Sequence, residues 1–134
     1  MRFVLDASIV VSWALQDEHS ERSEEILLKV CANQAICPGQ LWYEVRNALV
    51  IAERRGRMNP GDSDRFLADL ENLPIQLHHD CDSATTMRLA RAHKLSVYDA
   101  AYLQIAVEMQ LPLATIHRKL ESAAKRERVK ILSG

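Results

Sequence analysis

The stretch RFVLDASIVVSWAL, Arg2 to Leu15, decides how the whole chain is read. RFVL has the short aliphatic make-up of a strand, and SIVVSWAL reads as a short buried helix close behind it. Between the two stands Asp6. A strand that ends on an acid and passes directly into a helix sends that acid to the strand's carboxyl edge. Two uses suit Asp there. One is capping the following helix, a common job for this residue. The other is chemistry, because ligands of open α/β sheets sit beyond the carboxyl ends of the strands. The same stretch is apolar enough to resemble a signal peptide, but Asp6 interrupts the run and no A-x-A type cleavage site follows.

Outward from that unit the alternation repeats. SERSEEILLKVCAN is an amphipathic helix with Ile26, Leu27 and Val30 on one side, AIC is a brief strand, and Leu41 to Arg55 form a longer helix. Asn59 and Pro60 supply an N-cap and a first-turn proline for a helix reaching Leu73. IQLH returns as a strand, and helices follow over Ser83 to His93 and Val97 to Met109. A strand PLAT, a helix from about Arg118 to Arg126 and a last strand VKIL complete the series. Such alternation yields an α/β fold, a largely parallel sheet covered on both faces by helices. No linker, internal repeat or low-complexity tract breaks it, so residues 1–134 read as a single domain.

A chain of 134 residues with 48% hydrophobic and 26% charged residues suits one hydrophobic core. The net charge of −1 gives no global attraction to polyanions or membranes, so any nucleic-acid surface must come from local clusters of Arg and Lys. Cys31, Cys37 and Cys81 are odd in number and form no CxxC pair. That argues against a disulfide framework or a Cys-based zinc site, and fits a reducing cytoplasm. No apolar run approaches the ~18 residues needed to span a bilayer, so no membrane association is expected.

Two more acids stand where apolar residues belong. Glu44 in LWYEVRNAL shares a helical stripe with Leu41, Val45, Ala48 and Ala52, the face that turns inward. Asp99 in LSVYDAAYLQIA lies in line with Tyr102, Leu103 and Ala106, three residues after Ser96. Ser96 and Asp99 also have the spacing of a capping box, which does not exclude a second role. Two carboxylates ~5 Å apart repel by roughly 3 kcal/mol at an effective dielectric near 20, and desolvating each adds several kcal/mol more. Helix packing does not offset such a cost. A divalent cation does, and oxygen-rich Asp and Glu clusters suit Mg²⁺ or Mn²⁺. Asp6, Glu44 and Asp99 are thus expected to form one metal site able to activate water and stabilise charge on a phosphoryl oxygen.

The order VLDASIVVSW, QLWYEVRNAL, LSVYDAAYLQIA and LPLATIHRKL resembles a PIN domain over essentially the whole chain, most specifically at Tyr98, Asp99, Ala100 and Ala101. Within that family the short length resembles the VapC-type ribonuclease toxins of toxin–antitoxin pairs. The resemblance implies a Rossmann-like three-layer α/β/α sandwich and Mg²⁺- or Mn²⁺-dependent endonucleolytic hydrolysis of RNA. It also implies a homodimer and a small cognate antitoxin protein. The family's first, second and third acids fall on Asp6, Glu44 and Asp99, and its small polar residue on Ser8, whose hydroxyl would hold Asp6 or a metal-bound water. One position departs from the pattern: His117 stands where the family usually carries a fourth acid. Imidazole can still ligate Mn²⁺, and Glu121, one helical turn on, is a candidate replacement carboxylate. Arg118 and Lys119, which follow His117, are the candidates for RNA phosphate contact.

Rival readings are separable. A haloacid-dehalogenase-like phosphatase needs a second aspartate two residues after the first, where Ser8 stands. A response-regulator receiver wants paired acids after its first strand and an aspartate after its third, and neither is present. A PIN-like module that lost catalysis with the fourth acid and only binds an antitoxin-like partner draws on His117. The cost of keeping Asp6, Glu44 and Asp99 inward opposes it.

Overall fold

The computed structural model describes residues 1–32, 34–79 and 82–132. In chain order its elements are β1 (Phe3–Leu5), α1 (Ala7–Ala14), a 3-10 turn (Gln16–Glu18), α2 (Glu21–Cys31), β2 (Ala35–Pro38) and α3 (Leu41–Arg54). There follow α4 (Pro60–Glu71), β3 (Gln76–His78), α5 (Ser83–His93), α6 (Val97–Met109), β4 (Leu113–Ala114) and α7 (Arg118–Arg126). The expected helix end at Asn33 and the thiol of Cys81 lie outside the described residues. Cys31 is exposed and Cys37 buried, both as free thiols. Among the described residues no helix is long and apolar enough to cross a membrane.

The strands form one parallel sheet in the order β3-β2-β1-β4. Every residue of β1, β2 and β4 is buried. A strand reaches that state only when helices cover both faces of the sheet, which is why these segments read as unbroken apolar runs. α1 packs on α2 and α3, while α6 packs on α5, α7 and the strands β1, β2 and β4. The result is the expected three-layer α/β/α sandwich. α6 is buried along Tyr102 to Ala106 without a polar face, the mark of a helix enclosed by sheet and neighbouring helices.

Local signals set the helix starts. Asn59 accepts the Asp62 N–H ahead of Pro60, and Ser20 and Ser23 exchange side-chain-to-backbone bonds across the first turn of α2. One expected element is reduced. VKIL is not a full strand: Ile131 makes a single parallel bridge to Leu113, with Leu113 N–H donating to Lys130 O and Leu132 N–H to Leu113 O, both at 2.9 Å. β4 is too short to carry more. Beyond it, Thr115 O is taken by the Arg22 guanidinium at 3.1 Å, which also binds Leu132 O at 3.1 Å, so the carbonyls that would extend the pairing are occupied.

Candidate active site

Because the sheet is parallel, β1 and β4 deliver their next residues to the same edge. Leu5 pairs with Ala114, so Asp6 and Thr115 follow side by side. Asp6 is buried and accepts three bonds: from Ser8 Oγ at 2.6 Å, from Thr115 Oγ1 at 2.8 Å and from Ser8 N–H at 3.3 Å. The last makes it the N-cap of α1, so the capping and the chemical readings of Asp6 describe one geometry. Ser8 Oγ and Thr115 Oγ1 are 3.2 Å apart. The backbone after β4 holds both: Ile116 N–H donates to Ser8 Oγ and His117 N–H to Thr115 Oγ1, each at 3.0 Å.

Glu44 stands at the border of the buried stripe rather than at its centre. The fully buried line of α3 is Leu41, Val45, Leu49 and Ala52, and Glu44 and Ala48 flank it. From there the Glu44 carboxylate receives the Tyr102 hydroxyl of α6 and, at 3.4 Å, the side-chain amide of Gln40. The same Gln40 amide donates to Tyr98 O at 2.7 Å, which ties the start of α3 to the first turn of α6. Asp99 sits in that turn. Its N–H is capped by Ser96 Oγ at 3.1 Å, whereas its carboxylate lies 3.7 Å from His117 Nδ1 at the start of α7.

Burial dominates the electrostatics. Desolvation pushes the Asp6 and Glu44 carboxyls above their ordinary range, against the opposing pull of their hydrogen bonds. The three acids also feel one another: Asp99 raises both Asp6 and Glu44, and Asp6 raises Glu44. Their joint field reaches further. Burial and then Glu44 push the Cys37 thiol up to about 12, and burial with the Glu44 hydrogen bond keeps the Tyr102 phenol protonated as a donor. Against this negative centre stand the N-termini of α1, α3, α6 and α7, which open at or beside the same edge and favour anionic ligands.

The expected single ligand cluster is only partly assembled. Among the described residues no three His, Cys, Asp or Glu side chains stand close enough together to hold a metal ion. Each acid is drawn to its own partner: Asp6 to two hydroxyls, Glu44 to Tyr102 and Asp99 toward His117. The donor chemistry nevertheless fits a hard divalent cation. All three ligand candidates are carboxylates, and neither Asp6 nor Glu44 has a Lys, Arg or His in ion-pair contact among the described residues. Glu121 is engaged elsewhere, 3.2 Å from Lys125 along α7. Arg118 and Lys119 are exposed at the start of that helix.

Three participants escaped the sequence reading: Thr115, Tyr102 and Gln40. Thr115 follows a buried strand as Asp6 does, and that parallel was available, but only the β1–β4 register makes the two neighbours. Tyr102 looked like core because it is core, and its hydroxyl is the polar exception that a buried Tyr needs to satisfy.

Fold and site together define an α/β/α protein that gathers carboxylates at the carboxyl edge of a parallel sheet. The PIN domain family model matches residues 3–126, and the chain belongs to that family. It is 28% identical over 123 residues to Ribonuclease VapC3 of Pyrobaculum aerophilum, covering 90% of this chain and 92% of that protein. The crystal structure of PAE2754 from Pyrobaculum aerophilum has the same fold, with a TM-score of 0.73, 23% identity, and coverage of 92% of this chain and 86% of that one.

Proposed function

We propose that this chain is a Mg²⁺- or Mn²⁺-dependent endoribonuclease, the toxin of a toxin–antitoxin pair, acting in the cytoplasm as a homodimer restrained by a small antitoxin. The observation that carries the catalytic part is the pair of inward carboxylates, Asp6 and Glu44, which among the described residues have no side-chain cation in ion-pair contact. Asp6, Glu44 and Asp99 would hold the ion. When bound, a divalent cation stabilises charge on the phosphoryl oxygen and lowers the pKa of water. The protein's own groups set the geometry. Ser8 and Thr115 fix Asp6, Tyr102 fixes Glu44, and Gln40 keeps α3 in position against α6. Arg118 and Lys119 neutralise phosphates as the RNA crosses the edge. In the reaction water forms a new P–O bond, the bridging P–O bond breaks, and the water's proton ends on the released hydroxyl.

The test is cleavage of a broad single-stranded RNA panel by purified protein in Mg²⁺ or Mn²⁺. Wild type should cut, chelation should abolish cutting, and Asp99→Asn should lower the rate at least roughly hundredfold, as losses of groups that stabilise developing charge commonly do. A wild type that cuts nothing rejects the proposal. It would favour the second reading, a binding module with weakened catalysis, which rests on His117 in place of an acid and on the spread of the three carboxylates. Because His117 places a nitrogen beside Asp99, Mn²⁺ should support faster cleavage than Mg²⁺. Equal rates at equal concentration would remove that expectation.

A further inference from the structure

Among the described residues only two Phe, Trp or Tyr side chains are exposed, Tyr43 at 79% and Tyr98 at 63%. Each immediately precedes one of the acids, Glu44 on α3 and Asp99 on α6. The helical turn that aims an acid inward aims the preceding residue away from the core, so both rings stand on the solvent side of the edge that carries the carboxylates. Gln40 joins the two starts, since its amide meets Tyr98 O and Glu44 together. Among the described residues neither phenol makes an internal hydrogen bond. A ring so exposed forgoes the burial that Tyr normally finds.

We propose that Tyr43 and Tyr98 are stacking platforms for unpaired bases on either side of the phosphate held at the carboxylate edge, so that the site takes single-stranded RNA. The assignment rests on the ribonuclease reading and deepens it. Three features favour a nucleic acid over a protein on this face. Each ring belongs to the residue directly before a carboxylate of that edge, in the first turn of its helix. The N-termini of α3 and α6 offer positive dipole ends beside each ring, and the cationic Arg118 and Lys119 lie at the start of α7, whose cap His117 approaches Asp99. Tyr43 also borders an open cleft with Trp42, Arg46 and Glu71, in which Arg46 and Glu71 pair at 3.4 Å. Its lining mixes aromatic with charged groups, which suits a base better than an apolar protein patch. Stacking accepts any base, because each has a π-face, so these contacts grip an unpaired strand without reading its sequence. A duplex keeps its bases stacked on one another and leaves the rings nothing to hold.

The experiment is equilibrium binding of a labelled single-stranded RNA 12-mer, its abasic counterpart and the matching duplex, in chelator so that no strand is cut. Tyr43→Ala and Tyr98→Ala should each weaken single-stranded binding on the order of ten- to hundredfold. Tyr→Phe at either position should restore it, and affinity for the abasic and duplex forms should not move. Both positions are exposed, so thermal melts of the variants should match wild type. Unchanged affinity for the single strand in the alanine variants, equal losses on the abasic strand, or no binding by wild type overturns the proposal. Conversion of a dimer to a monomer by either alanine variant, with RNA affinity intact, assigns the face to a second copy of the chain and also overturns it. Cleavage by wild type in Mn²⁺ is scored separately. Cutting with ring-independent binding sinks the platforms alone, and ring-dependent binding without cutting sinks the ribonuclease reading alone.

Discussion

The acids of this protein live under two regimes. At the far end of α7, Glu127 receives His93 Nε2 at 2.7 Å and the Arg88 guanidinium at 3.4 Å, and these partners hold its carboxyl below the ordinary range. On the surface, Asp17 is held below its usual range by Arg57 in the same way. At the carboxyl edge of the sheet, Asp6 and Glu44 are met by hydroxyls and an amide, and burial lifts them above the ordinary range. One set of carboxylates is supplied with positive charge by the fold and contributes to folding. The other is left short of it, which is the condition of a group reserved for a charged ligand.

Substitutions sharpen that contrast, beginning with the largest effect. Asp99→Asn should cut RNA cleavage at least roughly hundredfold, while Glu127→Gln should leave it unchanged, since Glu127 stands away from the edge. Rate comparison on one RNA substrate checks both. Next comes Thr115→Val, which keeps the shape and removes the hydroxyl given to Asp6. Bonds to charged groups are worth about 2 kcal/mol, so its denaturation midpoint should drop accordingly in chemical unfolding without metal. Smaller still is Glu127→Gln on stability, about 0.5–1 kcal/mol at pH 7, because its guanidinium partner Arg88 is half exposed to screening solvent. The sign follows from its lowered carboxyl. The stabilisation is present above the unfolded-state value near 4.5 and is lost as pH falls through the lower folded-state value, so wild type and variant should draw together as the pH is taken down from 4.5 through acid. Last is Asp6→Asn, which relieves a desolvated charge and should raise stability by up to about 1 kcal/mol in chelator at pH 7. A fall in its melting temperature would mean that the Asp6 carboxylate contributes to folding like Glu127, and the two regimes would merge.

The strands and helices were readable because each had its own local signal. RFVL and AIC are short aliphatic runs, and Asn59-Pro60 announces a helix start. VKIL misled because apolar content says nothing about whether the facing carbonyls are free to pair, and Arg22 occupies both Thr115 O and Leu132 O. The acids drew notice for a similarly local reason, since a charge inside an apolar period stands out. What stayed hidden was pairwise and distant. Glu44 has the spacing of the inward stripe, yet Leu49, buried in place of Ala48, shifts the face by a fraction of a turn and leaves Glu44 at its border. Thr115, Tyr102 and Gln40 look ordinary until register and helix packing bring each to its acid.

The Leu5–Ala114 pairing also fixes when the site comes into being. Asp6 and Thr115 are separated by 109 positions in the chain, and closing a loop of that length costs about 4 kcal/mol in chain entropy before any contact repays it. β1, the first strand made, occupies the middle of the sheet and must wait for β4, the last of the four, to dock beside it. The hydroxyl that steadies the first acid is therefore delivered late, and a chain still being synthesised carries its acids apart from the residue that sets them.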